Sequence, residues 1–171
     1  MIVVVLLISF ILEGIVSNLV PVNSLFIPLF SIVSLLVTYP LFNDNRIKYL
    51  IYSGTLGLLY DLVYTSTPFI NTFTFVITAL IITFICRYIT INKLNLIFII
   101  IFVLLFNQTI NYLLICLFRY RIFNSNTLIE GLYSSLILNV IYSYILYIII
   151  EIINKKRKYK RIIWIGASGL I

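Results

Sequence analysis

Six long apolar runs, separated by short polar breaks, constrain this chain more than any other feature of its sequence. The hydrocarbon core of a bilayer is about 30 Å thick, and a helix needs about 20 apolar residues to cross it. Hydrophobic residues make up 63% of the chain and charged residues only 10%, which is more apolar surface than a water-soluble domain buries. The sequence therefore predicts an all-helical membrane protein.

The apolar runs set the predicted domain organisation. A six-helix transmembrane domain is expected over residues 1–154, followed by a basic cytoplasmic tail over residues 155–171. The predicted spans are approximately 2–20, 25–42, 47–65, 69–88, 94–118 and 127–153. Because the connections are short, consecutive helices should run antiparallel as neighbours.

The distribution of cations predicts how the helices are oriented. Cytoplasmic loops of membrane proteins carry an excess of Lys and Arg. If the amino terminus is cytoplasmic, ten of the 12 cations lie inside, and only Arg119 and Arg121 lie outside. Both termini are therefore predicted to be cytoplasmic.

Half of the cations follow the last span directly, as Lys155, Lys156, Arg157, Lys158, Lys160 and Arg161. Each cation near an anionic leaflet contributes about 1 kcal/mol of attraction. The net charge of +7 is thus a localised patch on an otherwise neutral chain, which favours binding to anionic membrane lipid over binding to nucleic acid.

Two acidic residues lie within apolar spans, where an unpaired charge is costly. Glu13 falls in the first span, and Asp61 shares a helix face with Gly54 and Gly57. One interpretation is structural: Glu13 makes an interhelical hydrogen bond, and Asp61 caps a helix end and accepts hydrogen bonds from Thr65 or Ser66. The other is that Glu13, Gly54, Gly57 and Asp61 form a docking face for a neighbouring helix or a partner protein.

Amide side chains form a second polar set, comprising Asn107, Gln108, Asn111 and Asn139. We expect the amides of the fifth and sixth spans to lie at matched depth and to hydrogen-bond across the helix interface. A small-solute pocket is the alternative interpretation of the same residues.

A third set of charges belongs to helix ends on the predicted outer face. Arg119, Arg121 and Glu130, together with Asp61, are expected to form an ion-pair cluster there. Exposed pairs of this kind contribute little stability, typically below about 1 kcal/mol. Glu130 also lies in the first turn of its predicted helix, where the helix dipole alone favours an anion.

Catalytic chemistry is not expected from this chain. It contains no histidine and only 5 acidic residues, which are scattered, so no acid–base pair has a recognisable spacing. We therefore predict no catalytic residues, no metal site and no cofactor.

The segment Gly54-Thr-Leu-Gly57-Leu-Leu-Tyr-Asp61, followed by Thr65-Ser66-Thr67 and Asn71, resembles a known pattern. It is similar to the Gly-x-x-x-Asp helix end and small-residue turn of the bacterial MreD family of rod shape-determining membrane proteins. Pro28 and Pro40 also look like prolines of that family, and the resemblance covers roughly residues 10–155. One departure is Pro68-Phe69, where the family usually has a Leu-Gly step.

The resemblance implies a non-enzymatic component of the cell-elongation machinery in the bacterial cell membrane. Its partner would be MreC and, indirectly, MreB filaments, RodA and a transpeptidase. The implied fold resembles the S-component of energy-coupling-factor transporters, so vitamin-like solute binding is the alternative function. Such components dock through alanines in their first helix, whereas this chain has only Ala79 and Ala167.

Overall fold

The computed structural model describes residues 1–19, 27–42, 45–65 and 69–168, with side chains described as far as Lys155. Helices are the only regular secondary structure in these ranges, which confirms the predicted all-helical class. The helices are α1 (Ile2–Leu19), α2 (Phe30–Thr38), α3 (Arg46–Val63), α4 (Ile70–Tyr88), α5 (Lys93–Leu117), α6 (Ser125–Ser134) and α7 (Leu136–Ser168), and a 3-10 turn (Tyr39–Phe42) extends α2.

Within the described residues, four stretches are helical, long and apolar enough to cross a membrane, so the chain is a multi-pass membrane protein. They are Ile2–Leu19, Ile70–Tyr88, Lys93–Leu117 and Ser125–Lys155, and they correspond to the first, fourth, fifth and sixth predicted spans. The third span forms α3 where it was predicted. It is less apolar because Arg46, Lys48 and Asp61 all fall within its 18 residues.

The second predicted span is shorter than expected. Helix α2 begins at Phe30, and the three residues before it, Ile27, Pro28 and Leu29, are not helical. With its nine residues and the four of the 3-10 turn, this segment is about 20 Å long, less than the hydrocarbon thickness. A proline lacks the amide hydrogen needed inside a helix and restricts the residue before it, which explains the late start.

Helix α2 is the centre of the fold. All nine of its residues are buried, and its polar side chains are only the hydroxyl groups of Ser31, Ser34 and Thr38. Helices α1, α4, α5 and α7 pack against it, and α3 packs along α4. The remaining helices therefore enclose α2, and their outer faces form the apolar surface of the protein.

The last predicted span, 127–153, is interrupted at Ser135, where α6 ends and α7 begins. The carbonyl oxygen of Ser134 accepts a hydrogen bond from the Ile27 N–H at 3.0 Å, and the Ser135 carbonyl accepts one from the Asn139 side chain. In a continuous helix, both carbonyl groups would accept hydrogen bonds from backbone N–H groups of the next turn. Here the Ile27 N–H and the Asn139 side chain donate to them. Helix α7 then continues through Ser168, so most of the predicted tail is helical.

Helices α3 and α4 approach each other closely at Gly57. A Cβ atom placed there would lie 2.8 Å from the Thr72 Cα and 2.9 Å from the Asn71 carbonyl oxygen, both of them backbone atoms of α4. Gly54 is less restricted, since its Cβ would lie 3.4 Å from a Val76 methyl group. Small residues therefore allow α3 and α4 to approach closely, as they do in many membrane helix pairs.

Replacing Gly57 with alanine should separate α3 from α4 and lower the stability by about 1–3 kcal/mol, the usual cost of overpacking. The apparent melting temperature of the purified protein in detergent measures the effect. Gly131→Ala is the matched control, because a Cβ atom placed at Gly131 would meet no atom within 4 Å and alanine is the better helix former. An unchanged melting temperature for Gly57→Ala would contradict the close approach.

The turn before α4 contains a strained residue. Phe69 has a φ of 64°, a left-handed conformation that favours glycine, and its side chain is exposed. Phenylalanine thus occupies a backbone conformation for which glycine is the better residue.

Phe69→Gly should therefore raise the stability by about 1 kcal/mol, because the left-handed strain disappears while little packing is lost. Phe73→Gly is the matched control: this phenylalanine is equally exposed but lies within α4, where glycine lowers the stability by about 1 kcal/mol. Opposite shifts in melting temperature are expected, and a decrease for both variants would show that Phe69 is not strained.

Candidate functional site

The first polar site lies where α2 begins. The Ser31 N–H, in the first turn of α2, donates a hydrogen bond of 2.8 Å to Glu13 Oε2 from α1. Glu13 is only 1% exposed, so its carboxylate lies entirely inside the bundle. A helix amino terminus has unpaired N–H groups and a positive dipole end, and an anion there satisfies both. Glu13 is thus a capping group supplied by a neighbouring helix.

Asn139 of α7 satisfies the irregular backbone just before α2. Its Oδ1 accepts a hydrogen bond from the Leu29 N–H at 2.7 Å, and its Nδ2 donates to the Ile27 carbonyl at 2.8 Å. Backbone that is not helical is tolerated at membrane depth only where protein groups satisfy it. One amide side chain and one carboxylate therefore allow α2 to begin inside the bundle.

Hydroxyl groups surround this cap. The Tyr64 hydroxyl donates to the Phe10 carbonyl at 2.8 Å, and its ring fills the space next to Gly14 where any side chain would collide. The Tyr60 hydroxyl lies beside the Glu13 carboxylate. Glu13 Oε1 and the Ser31 hydroxyl are buried, and neither makes a hydrogen bond within the described residues. In the part of the chain that the structure describes, no three His, Cys, Asp or Glu residues lie together as a metal site would require.

Asp61 forms the second cap, at the start of α4. Its Oδ1 accepts hydrogen bonds from the Asn71 N–H at 3.0 Å and the Asn71 side chain at 2.9 Å. Its Oδ2 accepts from the Thr72 N–H at 2.8 Å and the Thr72 hydroxyl at 2.7 Å. The Thr65 hydroxyl, which the sequence had suggested as a partner, donates to Oδ1 at 3.3 Å. Ser66, the other suggested donor, lies outside the described residues.

These contacts locate the predicted docking face inside the protein. Glu13 and Asp61 are buried and bonded to backbone N–H groups of this chain, and Gly54 and Gly57 face α4. The groove expected between Gly54 and Gly57 is therefore filled by the chain's own helix. Because these groups are already used in internal contacts, they shape the bundle instead of forming an open surface.

The predicted amide set is divided between two interfaces. Asn107 donates to the Thr78 hydroxyl at 3.0 Å, and Asn111 donates to the Asn71 side-chain oxygen at 3.1 Å, so both bond to α4. Asn139 instead bonds to the segment before α2, and the expected pairing of amides between the fifth and sixth spans is wrong. The reason is that the amides of α5 face α4. Gln108 is half-buried beside them. These contacts favour the interhelical interpretation over a solute pocket.

The charges at the helix ends pair differently from the prediction. In the described residues, the ion pairs join Glu151 to Lys155 at 2.8 Å and to Lys93 at 3.8 Å. Arg119, Arg121 and Glu130 are exposed and form no salt bridge within those residues, and the Asp61 carboxylate is occupied by α4. The expected outer cluster including Asp61 is therefore wrong, because the buried cap binds that carboxylate more completely than exposed arginines would.

Two features of the site were not foreseen from the sequence. One is the bonding of Asn139 to Ile27 and Leu29, which joins residues more than 100 positions apart. The sequence signal for this bonding was Pro28 at the start of the short second span. A helix that starts after a proline inside the membrane leaves backbone groups that need a polar side chain from elsewhere in the chain. The other is the Glu151 ion-pair group, for which the spacing of Glu151 and Lys155 by four residues was a local signal.

Comparison with protein families places most of the chain in a known family. The family model described as rod shape-determining protein MreD matches residues 1–157, which is most of the chain. No curated protein and no solved structure matches the chain significantly.

The cap on α2 predicts how Glu13 responds to substitution. Glu13→Leu leaves the buried Ser31 N–H without an acceptor and should lower the stability by about 1–3 kcal/mol. Glu13→Gln retains an oxygen acceptor and should keep most of that stability. Melting temperatures in detergent distinguish the two variants.

Ser17→Leu is the control for adding a leucine to α1, because Ser17 is exposed one turn further along the helix. It should leave the melting temperature unchanged. If Glu13→Leu melted at the wild-type temperature, the carboxylate would not be needed to start α2.

Proposed function

Since the chain belongs to the MreD family of rod shape-determining proteins, we propose that it acts as a non-enzymatic scaffold of the cell-elongation machinery. In this role it holds MreC in the bacterial cell membrane. Through MreC it connects to MreB filaments, RodA and a transpeptidase. The family match over residues 1–157 is the observation that carries this proposal.

The use of the polar side chains supports a scaffold. Glu13, Asp61 and Asn139 each bond to backbone groups at the start of a helix, and Asn107 bonds to a side chain of the neighbouring helix. Groups used in this way fix the positions of the helices relative to one another. The polar residues thus provide a rigid arrangement of helices, which a docking platform requires.

The outer surface supports docking within the membrane. Large apolar side chains are exposed on several helices, including Ile11 of α1, Leu80 of α4, Phe98 of α5 and Ile141 of α7. Such a surface faces lipid or the apolar membrane helix of a partner. Glu13, Gly54, Gly57 and Asp61 then contribute to partner binding indirectly, by fixing the helices whose outer faces the partner contacts.

The charges support an orientation with both termini in the cytoplasm. Lys93 and Lys155 are joined by Glu151, so the start of α5 and the carboxyl end of the bundle lie at the same side. Arg119 and Arg121 follow the carboxyl end of α5, at the opposite side. The excess of cations beside Lys155 favours the cytoplasmic side for that end. MreB filaments, which are cytoplasmic, would then lie at the basic end of the protein.

Complementation tests the function. In a rod-shaped host whose own gene for this protein is deleted, the wild-type chain should restore rods and co-purify with MreC. Gly57→Leu should reduce both, because the added side chain collides with the backbone of α4. Asp61→Lys should also reduce both, because it removes the cap of α4 and buries a cation. Gly131→Ala is the control that should behave as wild type.

The membrane level of each variant separates misfolding from loss of binding. If Gly57→Leu and Asp61→Lys were present at wild-type levels and still bound MreC, the contribution of this helix pair would be excluded. A photo-crosslinking residue placed at Ile11, Leu80, Phe98 or Ile141 then identifies the partner's face. The scaffold function would be contradicted if no position on these four helices crosslinked to MreC. It would also be contradicted if cells that lack the protein kept their rod shape.

A further inference from the structure

A groove opens at the end of the bundle where α2, the α4–α5 connection and α7 meet. It has a volume of about 330 Å³. Its apolar wall is formed by Val37, Pro40, Leu41, Ile91, Tyr147 and Ile150. Its polar edge is formed by Glu151, Asn154 and Lys155, one turn of α7 at the basic end of the chain. The groove is thus apolar on one side and charged at its rim.

The polar edge of the groove, together with the adjacent Lys93, has an excess of positive charge. Glu151 lies between two ammonium groups, at 2.8 Å from Lys155 Nζ and 3.8 Å from Lys93 Nζ. Two cations and one carboxylate leave one positive charge in excess. An ammonium group has three donors, so each lysine retains donors after bonding to Glu151. Both lysine side chains are more than half exposed and therefore remain accessible to a ligand.

We propose that this groove is a specific site for one anionic phospholipid. An acyl chain lies against the apolar wall, and the phosphate accepts hydrogen bonds from Lys155, Lys93 and the Asn154 amide. Glu151 bonds to both ammonium groups and thereby keeps them close to each other at the edge of the groove. This site binds a single lipid, which differs from the diffuse attraction between the whole basic segment and an anionic leaflet.

The composition of the groove favours a lipid over a protein segment. A phospholipid has apolar acyl chains and an anionic headgroup at the membrane boundary. The apolar wall of the groove matches an acyl chain, and its cationic edge matches the headgroup. Clusters of basic residues beside a membrane helix are typical binding sites for anionic headgroups. Five more cations follow Lys155 within residues 156–161, so the same end of the chain raises the local concentration of anionic lipid.

Native mass spectrometry tests the site on the full-length protein, delipidated in nonionic detergent and titrated with phosphatidylglycerol or phosphatidylcholine. The first phosphatidylglycerol should bind more tightly than phosphatidylcholine. Lys155→Gln and Lys93→Gln should each weaken it about fivefold, since a cation near an anionic surface contributes about 1 kcal/mol. Ile91→Trp, which fills the groove, should weaken binding of both lipids.

Lys48→Gln is the matched control, because it removes the same charge from an exposed site outside the groove at the same end of the bundle. It should leave the first binding event unchanged, and melting temperatures confirm that all variants are folded. An equal loss in Lys48→Gln would indicate only diffuse attraction, and equal binding of phosphatidylcholine would indicate no headgroup recognition. Either result overturns the proposal. If the Ile91→Trp variant no longer co-purified with MreC but bound lipid as the wild type does, the groove would hold a partner protein. That result would also overturn the lipid proposal.

Discussion

The fold depends on the hydrogen bonds that allow α2 to begin inside the bundle. A helix start has unpaired N–H groups, and in an apolar environment each unsatisfied group is costly. Glu13 from α1 and Asn139 from α7 supply the missing partners for Ser31, Leu29 and Ile27. Helices α1 and α7 are therefore both joined to the start of the central helix, although Asn139 and Leu29 lie 110 positions apart in the sequence.

The same chemistry recurs at α4. Asp61 near the end of α3 satisfies the first N–H groups of α4, and Gly57 one turn earlier allows the two helices to approach closely enough. The chain has few polar groups and uses its two membrane-embedded acids to start helices. Buried acids in a membrane protein are often candidates for transport or catalysis. Here the hydrogen bonds of the two acids account for their burial, which agrees with the scaffold function that we propose.

The outside of the bundle follows from this internal use of polar groups. With Glu13, Asp61 and Asn139 directed inward, the membrane-facing surface is left with large apolar side chains. Accessible charge is then concentrated at the helix ends, as in the group of Lys93, Glu151 and Lys155. Partner recognition within the membrane would depend on the shape of apolar helix faces, while charge would act at the membrane boundary.

Sequence alone determined the helical class, the approximate positions of the helices and the identity of the important polar residues, because hydrophobic runs and costly buried charges are local signals. The partners of Glu13 and Asn139 were decided only by the tertiary structure, since hydrogen bonds between residues such as Leu29 and Asn139 leave no periodic pattern. The break at Ser135 has the same origin. Packing also showed that the neighbouring helix at the predicted docking face is the chain's own α4, which Gly57 and Asp61 contact directly.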